Sequence, residues 1–444
     1  MRDTLLEMPA HIASQQVGDA AATGPARSHD LWLLGAVLGL LGFGVVMVYS
    51  ASAVYAAQKF GAADYFLRRE LLWCAMGLTA LAISANLDYA VYRRYVYPLL
   101  ALTFTLLVAV LVVGARINGA RRWFHLGGVS FQPAELAKVA VVLYLAFSLA
   151  KKADKVKTFT VGFLPHMAVA GTVMLLLLKQ PDLGTAVILG LTTLLLLFVA
   201  GARVSYILIA FLAAAPVVYQ VIVGTPWRLK RMLAYIDPWP FRYDVGYQIT
   251  ESLIAVGSGG LFGLGLGDGR QKLFFLPEAH TDYILAIVGE ELGLAGLLCV
   301  AATFVLLVWR GVRAALRARD AFGCYLAFGI TALFGLQATV NLGVVLGSLP
   351  TKGLPLPFVS FGGSTLVVDL FAAGMLLNIS TGAPESVARL RMPWLSRLSG
   401  LLARGSANRK RGHRVIIETG ETGETGDTGG DRGDGIPIAI ADHG

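Results

Sequence analysis

Apolar stretches of sixteen residues or more, sparse in charge, recur along this chain and are separated by short polar segments. Ten can be marked, at about 31–53, 68–85, 96–114, 134–150, 164–179, 184–200, 204–223, 283–309, 322–346 and 360–381. Each suits the hydrocarbon core of a bilayer, about 30 Å thick and crossed by about 20 helical residues. Backbone in lipid must satisfy its own hydrogen bonds, which leaves helices or closed barrels. Barrel strands alternate apolar and polar positions over about ten residues, and no such run is present. The pattern therefore predicts an all-α polytopic membrane protein of about ten transmembrane helices. One long external loop, 224–282, joins the seventh and eighth.

The polar segments predict orientation. On the side of the two termini the short segments and tail carry 22 Lys and Arg, against 8 in the short segments opposite. Loop 224–282 adds 6 to the latter, but long loops weigh little in the positive-inside rule. Both termini are expected in the cytoplasm, and loop 224–282 outside. The first stretch lacks a short apolar region followed by a cleavage site, so it is expected to be retained as a helix, not removed as a signal peptide.

Within this frame the chain divides into a leader (1–30), expected to be disordered, a ten-helix membrane domain (31–382) and a cytoplasmic tail (383–444). The tail begins with a basic amphipathic segment. Leu390, Trp394, Leu398 and Leu401 form a helical stripe among Arg389, Arg391, Arg397 and Arg404, a pattern suited to anionic membrane lipids. Its acidic, Gly/Thr-rich end (ETGETGETGDTGGDRGDG) cannot bury a core. In the external loop, 247–256 is expected as an amphipathic helix lying in the interface. The glycine run GSGGLFGLGLGDG (257–269) superficially resembles a dinucleotide motif but follows no buried strand. Close backbone packing or approach to a substrate is the better use of its glycines.

Composition narrows the function. Hydrophobic residues make up 56% and charged residues 15% of the 444, against about 25% charged in soluble domains, which excludes a soluble enzyme. The net charge of +9 lies in short loops and the tail, so it reports orientation and lipid contact, and no nucleic-acid partner is expected. Cys74, Cys299 and Cys324 all fall in apolar segments without metal or redox spacing.

Charge inside a membrane is the best pointer to chemistry, and six residues stand out: Lys138, Asp182, Asp282, Glu290, Glu291 and Asp369. Lys138 is expected to neutralise one of the two adjacent glutamates inside the bundle. Asp282 opens the eighth stretch at the external boundary, after Glu278 and His280. Burial there would raise its pKa and make it a base, or its carboxylate would cap the helix that follows. Cations at the external rim, including Arg122, Arg228, Arg231, Lys272 and Lys352, run against the charge bias and suggest an anionic partner such as a diphosphate.

Four segments resemble the SEDS proteins of shape, elongation, division and sporulation. They are NGARRWFHLGGVSFQPAELAK (118–138), QPDLGTA (180–186), GSGGLFGLGLGDGRQKLFFLPEAHTDYILAIVGEELG (257–293) and NLGVVLGSLPTKGLPLPFVSFGGST (341–365). The likeness covers about 30–382, and LPTKGLPLP favours the division type over the elongation type. Phe361 stands where the family often has Tyr. The resemblance implies a peptidoglycan glycosyltransferase that polymerises lipid II at the outer face of the cytoplasmic membrane, at the division septum. The products would be undecaprenyl-diphosphate-linked glycan. It assigns catalysis to Asp282 and places Arg122, Trp123, Lys138, Lys352 and the Ser360–Ser364 segment around one cavity. Lys272, Glu278 and His280 join these as candidate substrate-binding residues. A divalent cation, Mg²⁺ or Mn²⁺, is compatible with this chemistry, but no ligand cluster marks one. Expected partners are a division-specific transpeptidase (a class B penicillin-binding protein) and other divisome membrane proteins. The rival reading from another class is a lipid II flippase. The absence of an inverted repeat and the clustering of acid–base residues at one face disfavour it.

Overall fold

The computed structural model describes residues 29–117, 119–126 and 129–382. The expectations for the leader before His29 and for the tail from 383 lie outside the described residues. Helices stand at all ten predicted spans: α1 (Leu31–Phe60), α2 (Tyr65–Asn86), α3 (Tyr92–Val113), α4 (Pro133–Lys151), α5 (Leu164–Lys179), α6 (Leu183–Ala200) and α7 (Val204–Val223) come first. After α8 (Pro226–Ile236) and α9 (Tyr247–Gly259) follow α10 (Ile284–Glu291), α11 (Gly293–Leu316), α12 (Ala321–Val345) and α13 (Ser364–Ser380). Eight of the described helices, allowing for short lead-in turns, are long and apolar enough to cross a membrane.

Local chemistry sets their ends. Asp30 Oδ1 accepts from the Trp32 and Leu33 amides to cap α1, while its other oxygen pairs with Arg310 of α11. Gly61, at φ +73°, closes α1 in the left-handed conformation that glycine tolerates. Arg93–Asp320 and Arg319–Asp88 pair the loops at the same end of the bundle as Asp30. Pro133 opens α4, where a missing N–H costs nothing. Nearly every residue of α4 from Pro133 to Leu149 is buried, which makes it the central helix. By contrast, no residue of α7 is buried. Small residues allow close crossings, as lipid-embedded helices require. A side chain at Gly374 of α13 would collide with Ser84 of α2.

Three features depart from the hydropathy pattern. Between α3 and α4 the chain forms a small antiparallel sheet, β1 (Ala115–Ile117), β2 (Ala120–Leu126) and β3 (Val129–Phe131), in the order β1-β2-β3. The eighth apolar stretch is two helices, broken at Leu292–Gly293, where Gly293 has φ +66°. The glycine run closes this break. The Leu264 and Gly265 amides donate to the Glu290 and Glu291 carbonyls, and the Leu294 and Ala295 amides donate to the Gly260 and Leu261 carbonyls. Irregular backbone at membrane depth is tolerated when protein covers it in this way.

The third departure is α9. A helix forms over 247–259 as expected, but one side of it packs into the protein. Ile249, Thr250, Glu251, Ser252 and Ala255 are buried, and Ser252 Oγ donates to the Val345 carbonyl at 3.0 Å. The amphipathic helix with an exposed apolar face is instead α8, where Trp227, Leu229, Leu233 and Ile236 are exposed and only Ala234 is buried.

Candidate active site at the start of α10

Asp282 sits two residues before α10. Tyr283 occupies the N-cap position and no side chain caps the helix, so the capping alternative does not describe what this carboxylate does. Its surroundings are electrostatic. Burial, reinforced by Glu278 and Asp182 and opposed by Arg122 and Arg231, pushes its carboxyl up to about 7. Oδ2 rests over the backbone of Gly353, where a methyl group would lie 2.5 Å from it.

The cations come from three separate segments. In β2 successive side chains point to opposite faces. Arg121 donates to the Leu111 and Val112 carbonyls. Arg122 donates through Nε to the Gln180 carbonyl at 2.9 Å and through Nη2 to the Pro181 carbonyl at 2.6 Å. Two bonds from a planar fork hold its charge in a set orientation. Trp123 follows on β2, half-buried. Lys352 lies in the loop between α12 and α13. Burial pushes it down to about 8, with Arg228, Arg231 and Arg122 adding to that effect and Asp182 opposing it. Arg228 and Arg231 of α8, which stack on Trp227 at 5.5 and 5.0 Å, thus belong to this cluster. The sequence marks them only as rim charges, through the RLKR run.

Several predicted residues have other duties. The Lys272 ammonium spends its three hydrogens on Glu291 Oε1 (2.7 Å), Ser50 Oγ (3.3 Å) and the Gly267 carbonyl, so no donor is left for a diphosphate. Lys138 pairs with Glu135, one turn away on α4, at 2.6 Å, not with Glu290 or Glu291 as expected. Glu290 Oε1 instead accepts from the Arg270 and Gln271 amides at 2.7 and 3.2 Å, and Glu291 Oε2 accepts from the Gly267 amide at 3.0 Å. Both glutamates bind the returning glycine loop to the helix break. Asp182 caps α6, accepting from the Thr185 amide at 3.2 Å and the Thr185 hydroxyl at 2.8 Å. Ser360 Oγ accepts from the Leu356 amide at 2.9 Å and Ser364 Oγ from the Gln132 amide at 3.2 Å. These hydroxyls shape the loop that frames the site. The His280 ring packs at 4.6 Å from Phe66 and 5.8 Å from Phe361, and burial lowers its pKa. It is a neutral wall of the site. Glu278 is exposed and accepts from Thr281 Oγ1 at 3.0 Å. No group of three His, Cys, Asp or Glu among the described residues fits a metal ion.

Comparison with known proteins shows the family. The FtsW/RodA/SpoVE model, described as cell cycle protein, matches residues 31–384. The chain belongs to that family. A probable peptidoglycan glycosyltransferase FtsW of Geobacter sulfurreducens is 50% identical over 361 residues, 80% of this chain and 97% of the relative. Stage V sporulation protein E of Bacillus subtilis is 42% identical over 81% of this chain and 98% of its own length. Among solved structures, one from a peptidoglycan synthase complex that coordinates polymerization and crosslinking superposes with TM-score 0.66 at 29% identity. It covers 80% of this chain and 98% of that one. Thermus thermophilus RodA superposes at 0.57, with 28% identity over 80% and 97%.

Proposed function

We propose that this chain is the septal, FtsW-type peptidoglycan glycosyltransferase, joining lipid II units into glycan strands at the outer face of the cytoplasmic membrane. The observation that carries the reading is the half-buried Asp282 carboxyl, held near neutrality against the charges of Arg122 and Arg231, with Oδ2 seated over Gly353, the residue that follows Lys352. Identity is higher to the FtsW-named relative than to the sporulation protein or RodA, which favours the division type over the elongation type.

The chemistry follows from the charges. The acceptor sugar 4-hydroxyl attacks the donor anomeric carbon, the new glycosidic bond forms, and the bond to undecaprenyl diphosphate breaks with inversion. Asp282 takes the hydroxyl proton as general base. The electron pair leaves with the diphosphate, whose growing charge Arg122 and Lys352 stabilise. A transpeptidase partner is consistent with the likeness to a synthase complex. Purified protein reconstituted with lipid II should yield glycan strands. Lipid II movement across the bilayer without polymer would sink the reading in favour of a flippase.

Two opposed ionisations predict the pH profile. The base must be deprotonated, so kcat/KM should fall as pH drops through about 7. The Lys352 ammonium must be protonated, so the rate should fall again as pH rises through about 8. Lys352→Arg keeps its charge at high pH, and the alkaline limb should move upward with the acid limb unchanged. An alkaline limb that stays near 8 in that variant removes Lys352 from the assignment.

Orientation is testable separately. Asp282 precedes α10 and α11, and Arg310 near the far end of α11 pairs with Asp30 at the start of α1. The site and the start of α1 are thus at opposite ends of this broken span. Tyr243→Cys and Ser406→Cys, in a background lacking Cys74, Cys299 and Cys324, should label oppositely with an impermeant thiol reagent. Labelling of both from outside contradicts the topology.

A further inference from the structure

We propose that Asn341 is a positioning residue for glycosyl transfer, its side-chain amide joining the peptides of Asp282 and Leu354 so that the Asp282 carboxyl stays seated on Gly353. The inference deepens the proposed function and rests on it.

Asn341 is buried on α12, one turn before that helix ends at Val345. Its Nδ2 donates twice, to the Asp282 carbonyl at 2.9 Å and to the Leu354 carbonyl at 2.7 Å. Both amide hydrogens are therefore used, and both acceptors are main-chain carbonyls that cannot donate in return. The first lies in the segment that carries the base. The second lies two residues after Lys352, in the loop that carries the site's half-buried ammonium. These segments are remote in sequence, and neither has regular secondary structure at the point of contact. A side chain anchored on a long helix gives them a common reference.

Gly353 completes the seat. It lies between Lys352 and Leu354, and the absence of a Cβ lets Asp282 Oδ2 approach its backbone. A larger residue there would meet the tip of a flexible side chain, not backbone, so it would move the carboxyl while leaving the fold intact. Misplacement of a reacting group by about 1 Å can cost about 10²-fold in rate.

The test uses the purified full chain polymerising lipid II, with folding followed by thermal melting. Asn341→Asp is isosteric but turns the two donors into an oxygen facing two carbonyls. It should lower kcat about 10²-fold while KM for lipid II changes little. In the uncharged variants that follow, the acid limb of the pH profile should also move down from about 7 toward the ordinary carboxylate range, because a loosened segment admits water to the carboxyl; in Asn341→Asp the added carboxylate opposes that shift. Gly353→Ala should melt like wild type and show the same loss of kcat and the same shift of the acid limb. Asn341→Ser, which keeps one donor, should recover part of the rate. Should Asn341→Asp fail to fold, Asn341→Ser and Gly353→Ala carry the test. A lowered melting temperature with wild-type kcat and pH profile in a folded Asn341 variant overturns the proposal, as does an unaffected Gly353→Ala. Asp282→Asn run in parallel separates the two readings. If it is inactive while the Asn341 variants are fully active, only the positioning role falls; if it is active, the base assignment itself falls.

Discussion

Asp282→Asn lowers glycan polymerisation by about 10²–10⁴-fold, the usual contribution of a general base, in a chain that still folds. The amide keeps the shape of the carboxyl over Gly353 but cannot accept the hydroxyl proton. A capping role predicts the opposite, because Asn caps a helix about as well as Asp. Here the cap position belongs to Tyr283 and no side chain fills it. The measurement is the initial rate of strand formation from lipid II by purified protein with its transpeptidase partner. A near wild-type rate in a well-folded Asn variant returns the search to Glu278, the exposed carboxylate four residues earlier in the chain.

The same substitution has a signature in stability. The carboxyl is raised from its ordinary 3.8 to about 7 in the folded chain. The folded state therefore holds this proton over a window in which the unfolded chain has released it. The stabilisation is complete below about 4 and is lost as pH rises through about 7. Asp282→Asn, which has no proton to lose, removes that part of the pH dependence, so melting temperatures of variant and wild type should diverge between these limits in the variant's favour.

Lys138→Met has the largest expected effect on folding, a loss of about 3–5 kcal/mol, typical of leaving a buried partner uncompensated. Lys138 pairs with Glu135 at 2.6 Å with both side chains buried, and Asp369 is a further buried carboxyl acting on it. Adding Glu135→Gln to Lys138→Met should restore much of the loss, because removing both partners is often tolerated. Adding Glu290→Gln instead should cost more, since Glu290 holds the Arg270 and Gln271 amides. Recovery of stability by Glu290→Gln and not by Glu135→Gln would show that the pairing is wrongly assigned. Melting of the purified variants in one detergent distinguishes these outcomes.

The Glu135–Lys138 pair is legible in the chain, as residues three apart on a helix are neighbours. Depth along the apolar stretches points instead to Glu290, because it matches heights along two helices without knowing which faces meet. The same limit explains Lys272. A cation in an external loop suits a diphosphate by charge alone, and only the fold shows that the loop turns back to bury it on Glu291 and Ser50. Asn341 carries no charge to mark it, and the small sheet that aims Arg122 escapes the hydropathy pattern because its strands are short beside the apolar spans.

The sequence by itself determined the membrane class and the places of the helices, and it singled out the carboxylate just before α10 as a candidate. Bilayer thickness sets span length, and a charge beside an apolar run is conspicuous wherever it falls. Tertiary structure decided which charges meet. Arg122, Asp182, Arg231, Asp282 and Lys352 come from five separate segments, and hydropathy holds no record of which helices are neighbours. The break at Leu292–Gly293 was hidden for a related reason. The apolar run resumes directly after Glu290 and Glu291, and the backbone can part there only because the glycine run, folded back from earlier in the chain, supplies the missing hydrogen bonds.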